Sequence, residues 1–387
     1  MNDTAAHLVD RVIPEEAPVR QWVLSLPHRV RYLSAKDPGL VRAILRIFLR
    51  AVFRLLRRLA RKQGIRQARC GSVTGVQRFA SSLGLNVHLH ALVLDGVYAW
   101  DDGLGAPVFH AAPSLREADI ARVALAVRRK VGALLSRRGL EEWEGEPSAW
   151  DRLCAASVEG RIALGPKRGW RVGRVGDEPV LLGARRGLCA EAEGYNVHAE
   201  VRVGAGDRPG LERLCRYLLR PALAAERLRE TPDGHLVYAL KRPWADGTTH
   251  LVFEPLEFLE RLAALVPPPR AHLVLYHGVL SSHATWRAEV VPRAERPSQE
   301  PQVEAAGEED RVSRPRRLSW AALLRRVFGL DVLVCARCGS RRKVVAFVTD
   351  PAELARICES IGVPAKPPPV SPARSPPQRE LHFPELP

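Results

Sequence analysis

An α+β fold built on a largely antiparallel sheet is the class that this 387-residue sequence predicts. Three observations carry that expectation. Short stretches rich in β-branched residues alternate apolar and polar side chains, as half-buried strands do. Between them lie longer segments with apolar residues three and four apart, the spacing of amphipathic helices. Strands and helices also follow one another without a regular β-α-β rhythm, which argues against a parallel sheet.

Residues 21–27 read as a first strand, followed by a helix over 38–62. In that helix Arg42, Arg46, Arg50, Arg54, Arg58 and Lys62 recur every four residues, while Ile44, Leu45, Phe48, Leu49, Val52, Leu55, Leu56 and Leu59 fill the opposite side. A charge run is usually a solvated helix face. Such faces mix both signs, though, and no acid follows Asp37 here, which favours a surface that tracks phosphates. Residues 72–79 and 86–94 read as two linked strands, the second ending at the turn signal Asp95-Gly96. A helix over about 114–138 precedes a Gly- and Arg-rich insertion with short strands, 141–193. Residues 196–203 alternate again, and Asp207 caps a helix that tolerates Pro209 in its first turn. Pro221 is expected to stop that helix and start another. Segments 235–243 and 248–254 flank Asp246-Gly247 as a hairpin, then come a helix over 257–265 and a strand over 271–276.

The chain divides accordingly. Residues 1–112 hold the first half of the central domain with the basic helix, 113–193 the helix and insertion, and 194–290 the second half. A charged linker, 291–317, leads to a small C-terminal module, 318–362, with a helix over 318–328, a strand over 343–348 and a helix from 351. The Pro-rich tail, 363–387, is expected to be disordered.

With 59 Lys and Arg against 43 Asp and Glu, the net charge of +16 favours a polyanionic partner. A membrane partner is disfavoured because no run of about 20 uncharged apolar residues exists. The N-terminus has neither the basic start nor the apolar segment of a signal peptide. Seven cysteines, only two of them closely spaced, do not form a disulfide framework in a chain this long. A reduced, cytoplasmic, nucleic-acid-binding protein is the expected class.

Chemistry concentrates in three places. In "NVHLHALVLDG", Asn86, His88 and His90 alternate with Val87 and Leu89, so all three point to one face of the strand. Neighbours on that face sit roughly 7 Å apart, close enough for two imidazoles to converge on one ion. In "GLERLCRYLLRP", Tyr217 has Arg213 four residues before it and Arg220 three after, on one helix face. Two guanidinium groups beside a phenol favour phenolate and would hold a phosphate against it. An apolar-face tyrosine alone would be ordinary. Beside a His-x-His strand and a basic surface it completes the parts for tyrosine-mediated nicking of DNA. Third, Cys335 and Cys338 are either two of the four ligands of a zinc knuckle or a packed or exposed cysteine pair.

At this point "NVHLHALVLDGVY", "LERLCRYLLRP", "KRPWADGTTHLVFEP" and "SWAALLRRVFGLDVLVCARCG" together resemble the rolling-circle transposases of the insertion-sequence-ninety-one family, within the endonucleases named for His-hydrophobe-His. The similarity runs from about residue 4 to residue 362. It implies a five-stranded antiparallel nuclease sheet flanked by helices. It also implies a Mg²⁺ or Mn²⁺ ion on His88 and His90, and a 5′-phosphotyrosine bond at Tyr217 that frees a 3′-OH. The third ligand is expected to be Gln77, with Asn86 and His198 behind it. The implied partner is single-stranded DNA at the element's ends and target site; no oligomeric state is implied.

Two departures from the pattern shape the expectation. Many relatives carry a second tyrosine where this chain has Arg213, so a single-tyrosine cycle is implied. Relatives also begin with a Cys-rich zinc module ahead of the segment resembling "DTAAHLVDRVIPEEAPVRQWVLSLPHRVRYL", which reads here as a truncation or a late start. Two other functions use similar parts: a plasmid replication initiator or relaxase with the same chemistry, and a non-catalytic DNA-binding transposase remnant.

Overall fold

The computed structural model describes residues 2–140, 147–176, 187–269, 271–292, 318–335, 337–343, 348, 350–360 and 362. In chain order the first elements are α1 (Asn2–Arg11), β1 (Val19–Ser25), α2 (His28–Lys36), α3 (Pro38–Lys62), β2 (Gly71–Phe79) and β3 (Leu85–Leu94). They are followed by β4 (Gly96–Asp101), β5 (Ala106–Ala111), α4 (Glu117–Arg137), α5 (Ala149–Glu159), β6 (Gly173–Gly176), β7 (Cys189–Ala192), β8 (Tyr195–His198) and β9 (Arg202–Val203). Next come α6 (Arg208–Leu218), β10 (Leu228–Glu230), β11 (Leu236–Ala239), β12 (Thr248–Phe253), α7 (Pro255–Leu265), β13 (Val274–Gly278) and α8 (Arg287–Val290). Finally there are α9 (Trp320–Phe328) and α10 (Pro351–Ser360). The chain forms two compact units: one over residues 7–294, and a smaller one that includes α9 and α10.

An antiparallel sheet organises the larger unit, in the order β13-β2-β3-β1-β8-β7, with β9 also paired to β1. It has seven strands where five were expected. The two additions are short: β7 is the other arm of a hairpin with β8, and β9 resumes the edge after a break. A second antiparallel sheet, β10-β11-β12-β6, and the hairpin β4-β5 complete the strands described. The α+β class and its antiparallel character are therefore as the alternating patterns predict.

Register decides which residues share a face. Directly opposed residues point the same way, so Gln77, His88, Ser25 and Asn196 form one row across four strands, and Gly75, His90, Val23 and His198 form the next. The odd-numbered residues of β3 face the other way. Val87, Leu89, Ala91 and Val93 join Trp22 and Leu24 in the main core, under Ile44, Phe48 and Val52 of α3 and Ile120, Val123 and Val127 of α4. Every residue of β3 is buried because helices cover one face and α6 approaches the other.

The long helix starts and stops where the sequence predicts. Asp37 caps α3 by accepting from the Gly39 amide, and Pro38 fits the first turn because its missing N–H would have no helical partner there. Asp207 caps α6 in the same way, through the Gly210 amide. The Asp246-Gly247 turn does link two paired strands, β11 and β12, although β11 stops at Ala239.

Several elements differ from expectation. The expected continuous strand 196–203 is broken: Val23 faces His198 but Arg20 faces Arg202, a one-residue slip. The cause is Arg20, whose guanidinium takes the Ala199 carbonyl at 2.8 Å and grips Asp95 through two contacts of 2.9 Å. Arg202, itself exposed, completes this knot on the buried Asp95 at 2.7 Å. The expected helix after Pro221 is absent. Only a 3₁₀ turn, Ala225–Arg227, forms, because Leu223 and Leu228 turn inward onto the Tyr238-Leu251-Phe253 core. Tertiary burial overrides local propensity there. The insertion holds a helix, α5, that the Gly- and Arg-rich composition hid. Its signal was legible in "SAWD", since Ser148 and Asp151 form a capping box. Most of the linker, most of the 343–348 strand and the tail lie outside the described residues.

Candidate active site

The site is assembled on the even-numbered face of β3. His88 and His90 are buried, with ring centroids 4.8 Å apart. Burial withdraws water from both rings and pushes their pKa values down, His88 to about 4 and His90 well below its usual value. The charge of Arg220 lowers both further. Both imidazoles are thus neutral at pH 7, the form that binds a metal.

Each ring is held through its second nitrogen. His88 Nδ1 donates to its neighbour's carbonyl, Asn86 O, at 2.8 Å, which leaves the Nε2 lone pair unprotonated. His90 Nδ1 lies 2.9 Å from the Gln21 side-chain amide of β1. If the amide nitrogen faces the ring, the imidazole proton sits on Nε2; if the amide turns over, its oxygen accepts from Nδ1–H and Nε2 becomes a ligand. Gln21 thus sets the tautomer of His90. Sequence reading passed over it because nothing local distinguishes it from other polar strand residues.

Gln77 stands directly across from His88. Its amide nitrogen donates to the carbonyls of Tyr217 and Leu218, both at 3.1 Å, satisfying two of the carbonyl groups left over at the end of α6. Its Oε1 is buried without a hydrogen-bond partner, as are His90 Nε2 and Asn86 Oδ1. Buried polar atoms are ordinarily paired, and Gln77 Oε1 and His90 Nε2, from adjacent rows of one face, fit a bound cation. Of the three expected third ligands, Gln77 is opposite His88, Asn86 is two residues along the same strand, and His198 is two strands away from His90, about 10 Å. Among the described residues no three His, Cys, Asp or Glu side chains gather at one place. A His-His-amide set is the combination this face offers.

Gly75 brings the tyrosine in. A Cβ there would lie 2.6 Å from Leu218 Cδ1, so the glycine lets the end of α6 rest directly on the sheet over His90. Tyr217 consequently stands edge-on to His90, ring centroids 5.7 Å apart. Arg220, just past the helix end, lays its guanidinium 4.5 Å from the Tyr217 ring centroid and 5.4 Å from that of Phe79. Arg213 lies half-buried one turn earlier, its Nε without a hydrogen-bond partner. The strand histidines, Gln77, the tyrosine and Arg220 are therefore brought together by the fold.

The basic helix is not part of that cluster. α3 packs through its apolar side on the opposite face of the sheet. Arg42, Arg46, Arg50 and Arg54 are exposed on its outer side, whereas Arg58 is half-buried and engaged with Asp119 of α4 at 3.2 Å. The positive surface continues onto α4, where the charges of Arg54, Arg129 and Arg50 depress the pKa of Lys130.

In the smaller unit Cys335 and Cys338 share one turn, closed by the Gly339 amide donating to the Cys335 carbonyl. A hydrogen bond from Arg342 to Cys335 Sγ, 3.4 Å, is the main reason that this thiol is pulled down to about 6. Cys338 Sγ lies 3.0 Å from Ser340 Oγ. The turn thus brings two thiols together, half of the ligand set that a zinc knuckle needs.

With this geometry in place, comparison with known proteins adds one positive result. A family model described as "Putative transposase" matches residues 71–287, more than half of the chain, and spans Gln77, His88, His90, Arg213, Tyr217 and Arg220. No curated protein and no solved structure matches.

Proposed function

The chain belongs to this transposase family, and on that premise we propose that it nicks one DNA strand by covalent attachment to Tyr217, in a rolling-circle-like transposition. The observation that carries the reading is the placement of a half-buried tyrosine edge-on to a buried, neutral His-x-His pair, with an arginine on its ring.

The phenolic oxygen of Tyr217 attacks the scissile phosphorus, the bond to the 3′ oxygen breaks, and the 5′ phosphate remains on the tyrosine. The phenol gives up its proton and the leaving oxygen takes one up as a 3′-OH, so the step is neutral in protons. That hydroxyl then serves as a primer, and attack by another 3′-OH releases the tyrosine and completes transfer. Arg220 and Arg213 hold the phosphate through charge-assisted hydrogen bonds. His88, His90 and Gln77 Oε1 would hold Mg²⁺ or Mn²⁺, which when bound would supply Lewis-acid polarisation of the phosphate. Gln77 would have two roles: its nitrogen holds the end of the tyrosine helix and its oxygen would be a ligand to the cation.

Single-stranded DNA is the substrate in this reading, since an exposed phosphate must reach a tyrosine seated against a sheet. No helix of the described residues is long and apolar enough to cross a membrane. The test is to trap the protein–DNA adduct with single-stranded DNA from the element's ends and map it by mass spectrometry. One adduct is expected, on Tyr217, and none in Tyr217→Phe, which keeps the ring and its packing. An adduct on another tyrosine, or full nicking by Tyr217→Phe, overturns the mechanism.

A further inference from the structure

A cavity of about 170 Å³ opens beside the histidine strand. Its walls come from both sheets and from the helices between them: His28 and Arg31 of α2, Asn86 of β3, Ser157 of α5, Arg174 of β6 and Trp244 of the β11–β12 connection. No Asp or Glu is among the described residues that line it. Three arginines are, counting Arg261, whose two terminal nitrogens are committed to the Ser157 and Arg161 carbonyls. Arg261 shapes the wall.

The remaining groups are arranged for a flat, polar, anion-bearing ligand. Arg174 lays its guanidinium 4.7 Å from the Trp244 ring centroid and is anchored from behind by Asp246 at 3.0 Å. Together they make a rigid stacking wall. Asn86 lies on the same strand face as His88, roughly 7 Å along, and its amide carries a buried oxygen with no partner. Arg31 lines the cavity and is braced by its Nε on the Leu26 carbonyl. An aromatic wall, an amide edge and a cation in line with a nuclease centre are what a protein uses to hold one unstacked base of a single strand.

We infer that this cavity receives the base of one nucleotide flanking the scissile phosphate, stacked on the Trp244–Arg174 wall, with Asn86 at its hydrogen-bonding edge and Arg31 at its phosphate. The inference rests on reading the chain as a single-strand nuclease and deepens it: the cavity fixes which phosphate is presented to Tyr217. It also gives a role to the second sheet, which otherwise contributes nothing to the chemistry.

Abasic scanning tests this. A fluorescein-labelled single strand from DNA flanking the gene is synthesised with each nucleotide made abasic in turn, and binding is read by anisotropy. One position next to the nick is expected to lose about tenfold in affinity. Trp244→Ala and Asn86→Ala are expected to bind the intact and abasic strands equally at that position, and Trp244→Phe to keep most of the difference. The scan on the unmodified protein needs no variant, so misfolding cannot imitate the result. Equal loss at every position, or a difference that survives Trp244→Ala, overturns the base cavity. Adduct mapping on Tyr217 is separate: an intact adduct with a featureless scan removes the cavity alone, whereas a missing adduct removes the nuclease reading whatever the scan shows.

Discussion

The two faces of the central sheet differ in the balance of what they bury. On the α6 face, buried polar atoms outnumber the partners that the protein gives them: Gln77 Oε1, Asn86 Oδ1 and His90 Nε2 have none. On the other face, Val87, Leu89, Ala91 and Val93 belong to the main apolar core, with Arg20, Ser72 and Thr74 as polar exceptions opposite Val93 and Ala91, and most charges of α3 stand outside, in solvent. In the proposed reading, adjacent residues of one strand thus serve stability and chemistry alternately. A site that must bind charged ligands keeps polar atoms unsatisfied in the free protein, and the neighbouring face supplies the packing that tolerates this.

The largest effect should come from the polar face. Changing both His88 and His90 to alanine is expected to abolish divalent-metal-dependent nicking, with near-normal DNA affinity and thermal unfolding close to wild type. Nicking at the wild-type rate by that double variant would remove the histidines from the chemistry. Leu89→Ala, between them, should do the reverse. It is expected to cost about 2–5 kcal/mol in denaturant unfolding through the cavity that it leaves, while the surviving folded fraction nicks normally. If both changes affected stability alike, the two faces would not differ in kind.

A smaller change separates support from ligation. Gln21→Leu deprives His90 Nδ1 of its partner and should weaken Mn²⁺ binding about 10- to 100-fold, read by electron paramagnetic resonance. Gln21→Glu, which can accept from Nδ1–H, should retain binding. Equal affinity in the leucine variant would show that Gln21 does not orient the ring. The smallest effect belongs to the outer stripe. Reversing Arg42, Arg46 and Arg50 should weaken DNA binding for all sequences alike and flatten the log–log salt dependence by about 2, at about 0.7 per lost contact on a single strand. Arg58 is left out because Asp119 holds it. An unchanged slope would make the stripe an ordinary solvated face.

Much of this was legible in the sequence. Period-2 alternation placed Asn86, His88 and His90 on one face, and period-3.6 spacing separated the arginines of α3 from its leucines. Both follow from backbone geometry alone, which is why they transferred to three dimensions without change. The caps Asp37 and Asp207 were equally local, each acting on an amide within three residues. What remained hidden required strand order and register. Nothing in the chain near residue 21 tells that Gln21 meets a histidine 69 residues away, or near residue 75 that a side chain would collide with Leu218. The Arg20–Asp95–Arg202 knot hid behind an ordinary turn signal for the same reason. Local spacing determined which residues could carry the chemistry. Only the tertiary structure decided that the histidines and tyrosine meet on one side of the sheet while the basic helix lies on the other, because a strand's pattern shows that two faces exist but not what packs on each.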